Sequence, residues 1–223
     1  MELEQILHEK TIRKCVKERK HLHRILVEEL WVFGDEFALG ADDQSLRSVL
    51  QEHRAILGLP DIMKQLTKPE SEELDDIPDL MLWRQFVRGR LDEFDHLVVE
   101  LKRPTVKIAL DEIHQVKRYA TKIMDNRYFD KAKTKWTFIA VSDDIADDAL
   151  EDVNPQDRKP GHVHSGKNHD IWVFRWSEII QQAKCKLKFV QDKLNVAVQD
   201  DAEGRAYLRE KYAQLLPPEA TNE

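Results

Sequence analysis

The feature that most constrains the fold is a change in the spacing of apolar residues partway along the chain. Residues 2–30 and then Ser45 to Leu57 carry apolar side chains at helical intervals. Two strand-like tracts follow, Asp79 to Trp83 and Phe94 to Leu101, and the residues near Gly89 connect them. This order predicts helices followed by a β-hairpin.

The pattern then alternates between helix and strand. We predict a mixed α/β fold in which a small central mixed sheet is flanked by helices, with extra helices at both termini. Residues 58–77 are interpreted as a surface loop or an irregular insertion because they contain Pro60, Pro69 and an acidic stretch. The remaining predicted elements are a helix from Ala109 to Met124, a strand from Lys135 to Ser142, a loop over 143–168, a strand from Ile171 to Phe174, a long helix capped by Ser177 and a last helix over 203–216.

The length of 223 residues is enough for one well-buried domain with appended helices. We expect an N-terminal helical extension over residues 1–19, the main domain over 20–195, and a C-terminal helix and tail over 196–223. No apolar run is long enough to span a bilayer, so no membrane partner is expected. Cys15 and Cys185 are far apart and lack ligand spacing, which predicts free thiols and a cytoplasmic location.

The end of the second strand-like tract carries two charged residues of opposite sign. Strand alternation places Glu100 and Lys102 on one face, and Val99 and Leu101 on the other. The hairpin would bring Asp79 beside that charged face. Two converging carboxylates can hold Mg²⁺, which lowers the pKa of a bound water, while a nearby lysine stabilises charge on a scissile phosphate.

The next helix adds polar and basic side chains. Gln115 and Tyr119 are four residues apart and therefore share one helical face. The formal net charge of −7 argues mildly against a nucleic-acid partner, but basic residues are concentrated around this helix. We expect these residues to contact DNA phosphates: Arg103, Lys107, Lys117, Arg118 and Lys122.

Pro78-Asp79, Glu100-Leu101-Lys102 and the Gln115-to-Tyr119 spacing together resemble the PD-(D/E)XK nuclease signature, with the QxxxY motif of RecB-like members. The tract from His96 to Pro104, with Leu30 to Gly34, is similar to Shedu-type antiphage defence nucleases and to nuclease-like domains attached to MORC-like ATPases. The resemblance implies a core of helix, three-stranded antiparallel meander, helix and strand.

The resemblance also implies roles for the site residues. Asp79 and Glu100 would ligate Mg²⁺ or Mn²⁺, Lys102 would assist the attacking water, Gln115 would steady the site, and Tyr119 would support it. The family often adds an acidic ligand from the first core helix. Three residues compete for that place, and Glu36 is favoured over the other two, Glu28 and Glu29.

Several of these features also have purely structural interpretations. A charged edge strand discourages unwanted pairing, and Gln115 with Tyr119 can be a half-buried helix face. His21 and His23 are interpreted as surface residues of a helix. A Pro/Gly-rich stretch contains His162, His164 and His169, without cysteine or carboxylate at zinc-site spacing, and predicts a solvated loop.

The favoured function is a metal-dependent DNA endonuclease of bacterial antiphage defence, which leaves a 5′-phosphate and a 3′-hydroxyl. The alternatives are a catalytically inactive nuclease-fold module for nucleic-acid binding or oligomerisation, and a regulatory domain of a larger ATPase. Apolar stripes on the terminal helices predict a homo-oligomer, and an ATPase or another defence-system protein is a further expected partner.

Overall fold

The structure is a computed structural model that describes residues 22–34, 36–86 and 93–194. The predicted extension over 1–19, the connection at Gly89 and the segment 196–223 lie outside these residues. The helices are α1 (His23–Glu28), α2 (Leu46–Ile56), α3 (Lys68–Glu72), α4 (Leu110–Asp125), α5 (Leu150–Val153) and α6 (Trp176–Leu194). The strands are β1 (Ala38–Asp42), β2 (Leu80–Phe86), β3 (Glu93–Leu101), β4 (Lys107–Ile108), β5 (Thr134–Ser142), β6 (Asp144–Ile145), β7 (His162–Ser165) and β8 (His169–Arg175).

A six-stranded mixed sheet in the order β1-β2-β3-β5-β8-β7 forms the centre of the described structure. β1, β2 and β3 form an antiparallel meander, β5 and β8 continue parallel to β3, and β7 returns antiparallel to β8. The predicted mixed α/β class is therefore confirmed. Along the chain, α1 precedes the three strands of the meander and α4 and β5 follow them, while α2 and α3 are inserted between β1 and β2. No helix of the described residues is long and apolar enough to cross a membrane.

Strand alternation along β3 separates two hydrophobic clusters, one on each side of the sheet. Val98 packs with α2 and α4, for example with Leu50 and Val116. Val99 packs with α1 and α6, for example with Leu26. Both valines are almost fully buried because helices cover both faces of the sheet.

Several elements differ from the sequence-based expectations. β1 was not predicted, because its five residues have little strand propensity and are held by pairing with β2. The presumed loop over 143–168 contains β6, α5 and β7, so that prediction was wrong. Ser177 is not an N-cap, since α6 already begins at Trp176. Within 58–77, α3 is a short helix with Thr67 and Glu70 in a capping box. Ser45 caps α2 as predicted.

Candidate active site

Asp79 precedes β2 and lies beside the end of β3. Leu80 pairs with Val99, so the next register position places Asp79 opposite Glu100 on the same face of the sheet. Asp79 is 3% exposed, and its Oδ2 accepts a hydrogen bond from the backbone N–H of Leu101 at 2.6 Å. The Asp79 carboxylate thus replaces a backbone carbonyl of β2 as the acceptor for the N–H of Leu101.

Glu100 is the centre of a buried hydrogen-bond network. It is 5% exposed and lies at the end of β3 on the side that faces α4. Its Oε1 accepts from Nζ of Lys102 at 2.9 Å and from Nε2 of Gln115 at 2.8 Å, and its Oε2 accepts from the Tyr119 hydroxyl at 3.0 Å. Three of the predicted site residues therefore donate to this carboxylate, which offsets the cost of burying its charge.

The geometry of the network determines the orientation of the Gln115 amide. Its Oε1 accepts from Lys102 Nζ at 3.2 Å, and its Nε2 donates both to Glu100 and to the Tyr119 oxygen, the latter at 2.6 Å. Exchanging the amide O and N would place donor against donor at Lys102. Burial and the neighbouring Glu100 carboxylate raise the pKa of Tyr119 well above its usual value, so the phenol remains protonated and acts as a donor.

Asp79 and Glu100 fit the requirements of a hard divalent cation with a mostly aqueous ligand set. Mg²⁺ commonly binds through one or two carboxylates and keeps several waters.

Within the described ranges no group of three or more His, Cys, Asp and Glu side chains is placed to hold a metal, so Glu36 does not complete such a set there. Glu36 is exposed, with φ of +69°, in the turn before β1. Of its competitors, Glu28 is exposed, and Glu29 accepts from Trp31 Nε1 at 2.6 Å.

Most of the side chains expected to bind DNA form ion pairs with acidic residues. Lys107 pairs with Asp144 at 2.7 Å, and Lys117 pairs with Asp152 at 3.5 Å. Arg118 and Lys122 both contact Asp76 at 2.9 Å. Arg103 is exposed two residues after the end of β3. The acidic stretches thus lie against the basic residues around α4, a distribution that residue spacing did not reveal.

His23 contributes to the site in a way that the sequence interpretation missed. It is 5% exposed rather than on the surface, and its Nε2 lies 3.0 Å from the backbone oxygen of Asp79. The same oxygen accepts from the Asp43 N–H at 2.8 Å. The two contacts hold the main chain of Asp79 from α1 and from the end of β1. They join residues far apart in sequence, so no local pattern could have indicated them.

Comparison of the chain with known proteins gave a uniform result. No family model, no curated protein and no solved structure matches it. The chemistry of the site is therefore inferred from Asp79, Glu100 and the residues that contact them.

Proposed function

We propose that the chain is a Mg²⁺- or Mn²⁺-dependent deoxyribonuclease that cleaves phosphodiester bonds within DNA. The observation that carries this proposal is the convergence of Lys102, Gln115 and Tyr119 on Glu100, with Asp79 in register opposite it. A buried acid surrounded by fixed donors and adjacent to a second acid is typical of a preorganised catalytic site.

Asp79 and Glu100 would hold the metal ion, which supplies Lewis-acid stabilisation of the phosphate and a more acidic bound water. Lys102 brings a partly buried ammonium to the same position, where it would stabilise charge that develops on the phosphate. Gln115 and the protonated Tyr119 hold the Glu100 carboxylate in one orientation, which limits reorganisation during the reaction.

DNA would approach over α4 and the segment before it. The Arg118 side chain is 52% exposed, and ion pairs at such exposed positions contribute only about 0–1 kcal/mol, whereas Lys122 and Asp76 are 24% and 23% exposed. A phosphate group can therefore compete with Asp76 most readily for Arg118. A role in bacterial antiphage defence and an ATPase or other defence-system partner rest on the sequence resemblance. A homo-oligomer rests on the apolar stripes of the terminal helices.

A second candidate is an inactive nuclease-fold module that binds nucleic acid or a partner chain. One observation favours it: both oxygens of Glu100 already accept hydrogen bonds from the chain itself. A network whose hydrogen bonds are all satisfied in this way is consistent with a purely structural role, in which it stabilises the packing of α4 on β3.

Cleavage of supercoiled and linear DNA with Mg²⁺ or Mn²⁺ distinguishes the two candidates. Wild type should nick and linearise the DNA, and Glu100→Gln and Lys102→Met should abolish this activity. Matched controls are Glu93→Gln, at the opposite end of β3, and Lys64→Met, an exposed lysine; both should cleave like wild type. Equal trace cleavage by wild type and the Glu100 variant would point to a contaminant and to the inactive module.

Metal binding can be measured without relying on activity. Because the folded state alone presents Asp79 beside Glu100, Mn²⁺ should raise the melting temperature of wild type. The increase should be absent in Glu100→Gln and preserved in Glu93→Gln. An equal increase in all three proteins would place the ion elsewhere.

A further inference from the structure

A groove between α4 and the β7–β8 hairpin is distinct from the site at Glu100. Gln115 and Tyr119 face β3, whereas other residues of α4 line this groove, which has a volume of about 290 Å³. Its lining consists of Lys117, Ala120, Thr121, Met124, Asp125, His164, His169 and Ile171. Lining residues from a helix and two strands define a concave site on the face of the sheet that α4 covers.

The β7–β8 turn is built to place an imidazole in this groove. The backbone N–H of Gly166 donates to the His169 carbonyl at 2.8 Å, and a Cβ at Gly166 would overlap the His169 ring. Only glycine therefore leaves room for that ring in this turn. The His164 ring lies 5.2 Å from the His169 ring, and their planes are inclined by 31°. The two imidazoles form one wall. The expectation of a loop was wrong, since these histidines lie on β7 and β8, whereas His164 is exposed to solvent as expected.

The paired rings of His164 and His169 favour a flat ligand group. Burial and the adjacent His164 lower the pKa of His169, so its ring is neutral at neutral pH. A neutral imidazole offers one donor and one acceptor as well as a face for stacking on a nucleobase. Met124 is partly exposed and provides an apolar floor for the face of a base, and the almost fully buried Ala120 and Ile171 close the groove beneath it.

The charged residues of the groove complement the remaining parts of a nucleotide. The Asp125 carboxylate can accept from an exocyclic amino group, such as N4 of cytosine. Lys117 is only partly exposed and pairs with Asp152 at 3.5 Å, a weak contact that a phosphate can replace. A simple inorganic anion would use Lys117 alone and would be repelled by Asp125.

We propose that this groove binds one unpaired nucleotide of a DNA strand, with its base between the histidines and the apolar floor and its phosphate near Lys117. That the bound strand is the substrate rests on the proposed function. The substrate would then carry an unpaired nucleotide on one side of the cleaved bond.

Titration of the full chain with deoxycytidine monophosphate in EDTA tests this site without requiring cleavage. Histidine ring signals in NMR spectra should shift for His164 and His169 and not for His114, an exposed histidine of α4 outside the groove. His169→Ala should weaken the affinity about tenfold, as expected for the loss of one stacking partner. His114→Ala should bind like wild type.

Gly166→Ala provides a second, independent variant, because it should displace the His169 ring while both histidines are kept. It should bind the nucleotide more weakly, and a melting curve will show whether it is folded. The proposal is overturned if inorganic phosphate shifts the same signals with equal affinity, or if folded His169→Ala binds the nucleotide like wild type. Nucleotide binding together with unaltered cleavage by Glu100→Gln would remove the proposed function and leave the groove assignment intact.

Discussion

The Tyr119 hydroxyl donates a hydrogen bond of 3.0 Å to Oε2 of Glu100 and thereby links the middle of α4 to the end of β3. Tyr119 is 1% exposed, so the phenol has little access to replacement partners from solvent. The contact orients a buried carboxylate and also contributes to stability. Variants can separate these two effects.

Tyr119→Phe should lower the free energy of unfolding by about 1–2 kcal/mol, because Glu100 loses a donor and Gln115 loses an acceptor in a buried setting. Urea denaturation measures this change, and the cleavage rate should fall as well. Tyr128→Phe is the control, since the Tyr128 hydroxyl has its partners, Arg127 and Glu70, at the surface. Equal losses in both variants would contradict a special role for the Tyr119 hydroxyl.

Lys102 and Glu100 should be strongly coupled in a double-mutant cycle. Their side chains are 14% and 6% exposed, and Nζ lies 2.9 Å from Oε1. Lys102→Met leaves a buried carboxylate without this cation, which should cost about 3–5 kcal/mol. Adding Glu100→Gln should recover part of that loss, because the isolated charge is removed. Additive effects in urea denaturation would show that the two charges do not interact.

Asp76→Asn should increase DNA affinity severalfold and steepen its dependence on salt. Burial alone would raise the pKa of Asp76, but hydrogen bonds and charge from Lys122 and Arg118 outweigh this effect and hold the pKa below its usual value. Removing the carboxylate releases both cations for phosphate contacts. Fluorescence anisotropy with duplex DNA in EDTA at two salt concentrations measures the change. Asp148→Asn, the same charge change at an exposed position, should have a smaller effect.

The buried pair of His53 and His96 should make stability depend on pH below neutrality. The Asp130 N–H donates to His53 Nε2 at 2.9 Å, so the protonated Nδ1 of His53 donates to His96 Nε2 at 2.8 Å. Burial lowers the pKa of His53 from 6.5 to about 4; burial and the neighbouring His53 lower that of His96 to about 3. Both rings are therefore neutral in the folded protein near pH 6.

Since the unfolded chain takes up these protons at higher pH than the folded chain, stability should be full above pH 6.5 and be lost as pH falls towards 4 and then 3. The loss should be on the order of a few kcal/mol between pH 7 and 4. His53→Gln retains a donor and an acceptor but does not titrate, so it should flatten the urea-measured profile. His114→Gln should not, and a flat wild-type profile would refute the prediction.

Gly161→Ala, directly before β7, should destabilise the protein far more than Gly58→Ala, just after α2. Both glycines have positive φ, +84° and +65°. A Cβ at Gly161 would lie 2.7 Å from the Val173 carbonyl oxygen, whereas nothing lies within 4 Å of one at Gly58. We expect the free energy of unfolding to fall by about 2–4 kcal/mol in Gly161→Ala and by about 1 kcal/mol in Gly58→Ala. Thermal melting compares the two variants directly, and equal shifts would exclude the steric explanation.

The sequence anticipated those parts of the fold whose signal is local. Period-two alternation in β3 placed Glu100 and Lys102 together, and helical spacing placed Gln115 beside Tyr119. β1 and β7 were missed because their short segments owe their strand geometry to pairing with β2 and β8. The His23 contact with Asp79 and the ion pairs of Asp76 were missed because they join distant parts of the chain.

Backbone geometry sets the periodicities of strands and helices, so residue order was enough to show which side chains share a face of either element. The β2–β3 register that places Asp79 opposite Glu100 follows from the packed fold, as does the position of α4 on the sheet where Tyr119 reaches that carboxylate. Such contacts depend on how elements pack. Packing is a collective result of burying both faces of the sheet, and it is not encoded at any single position.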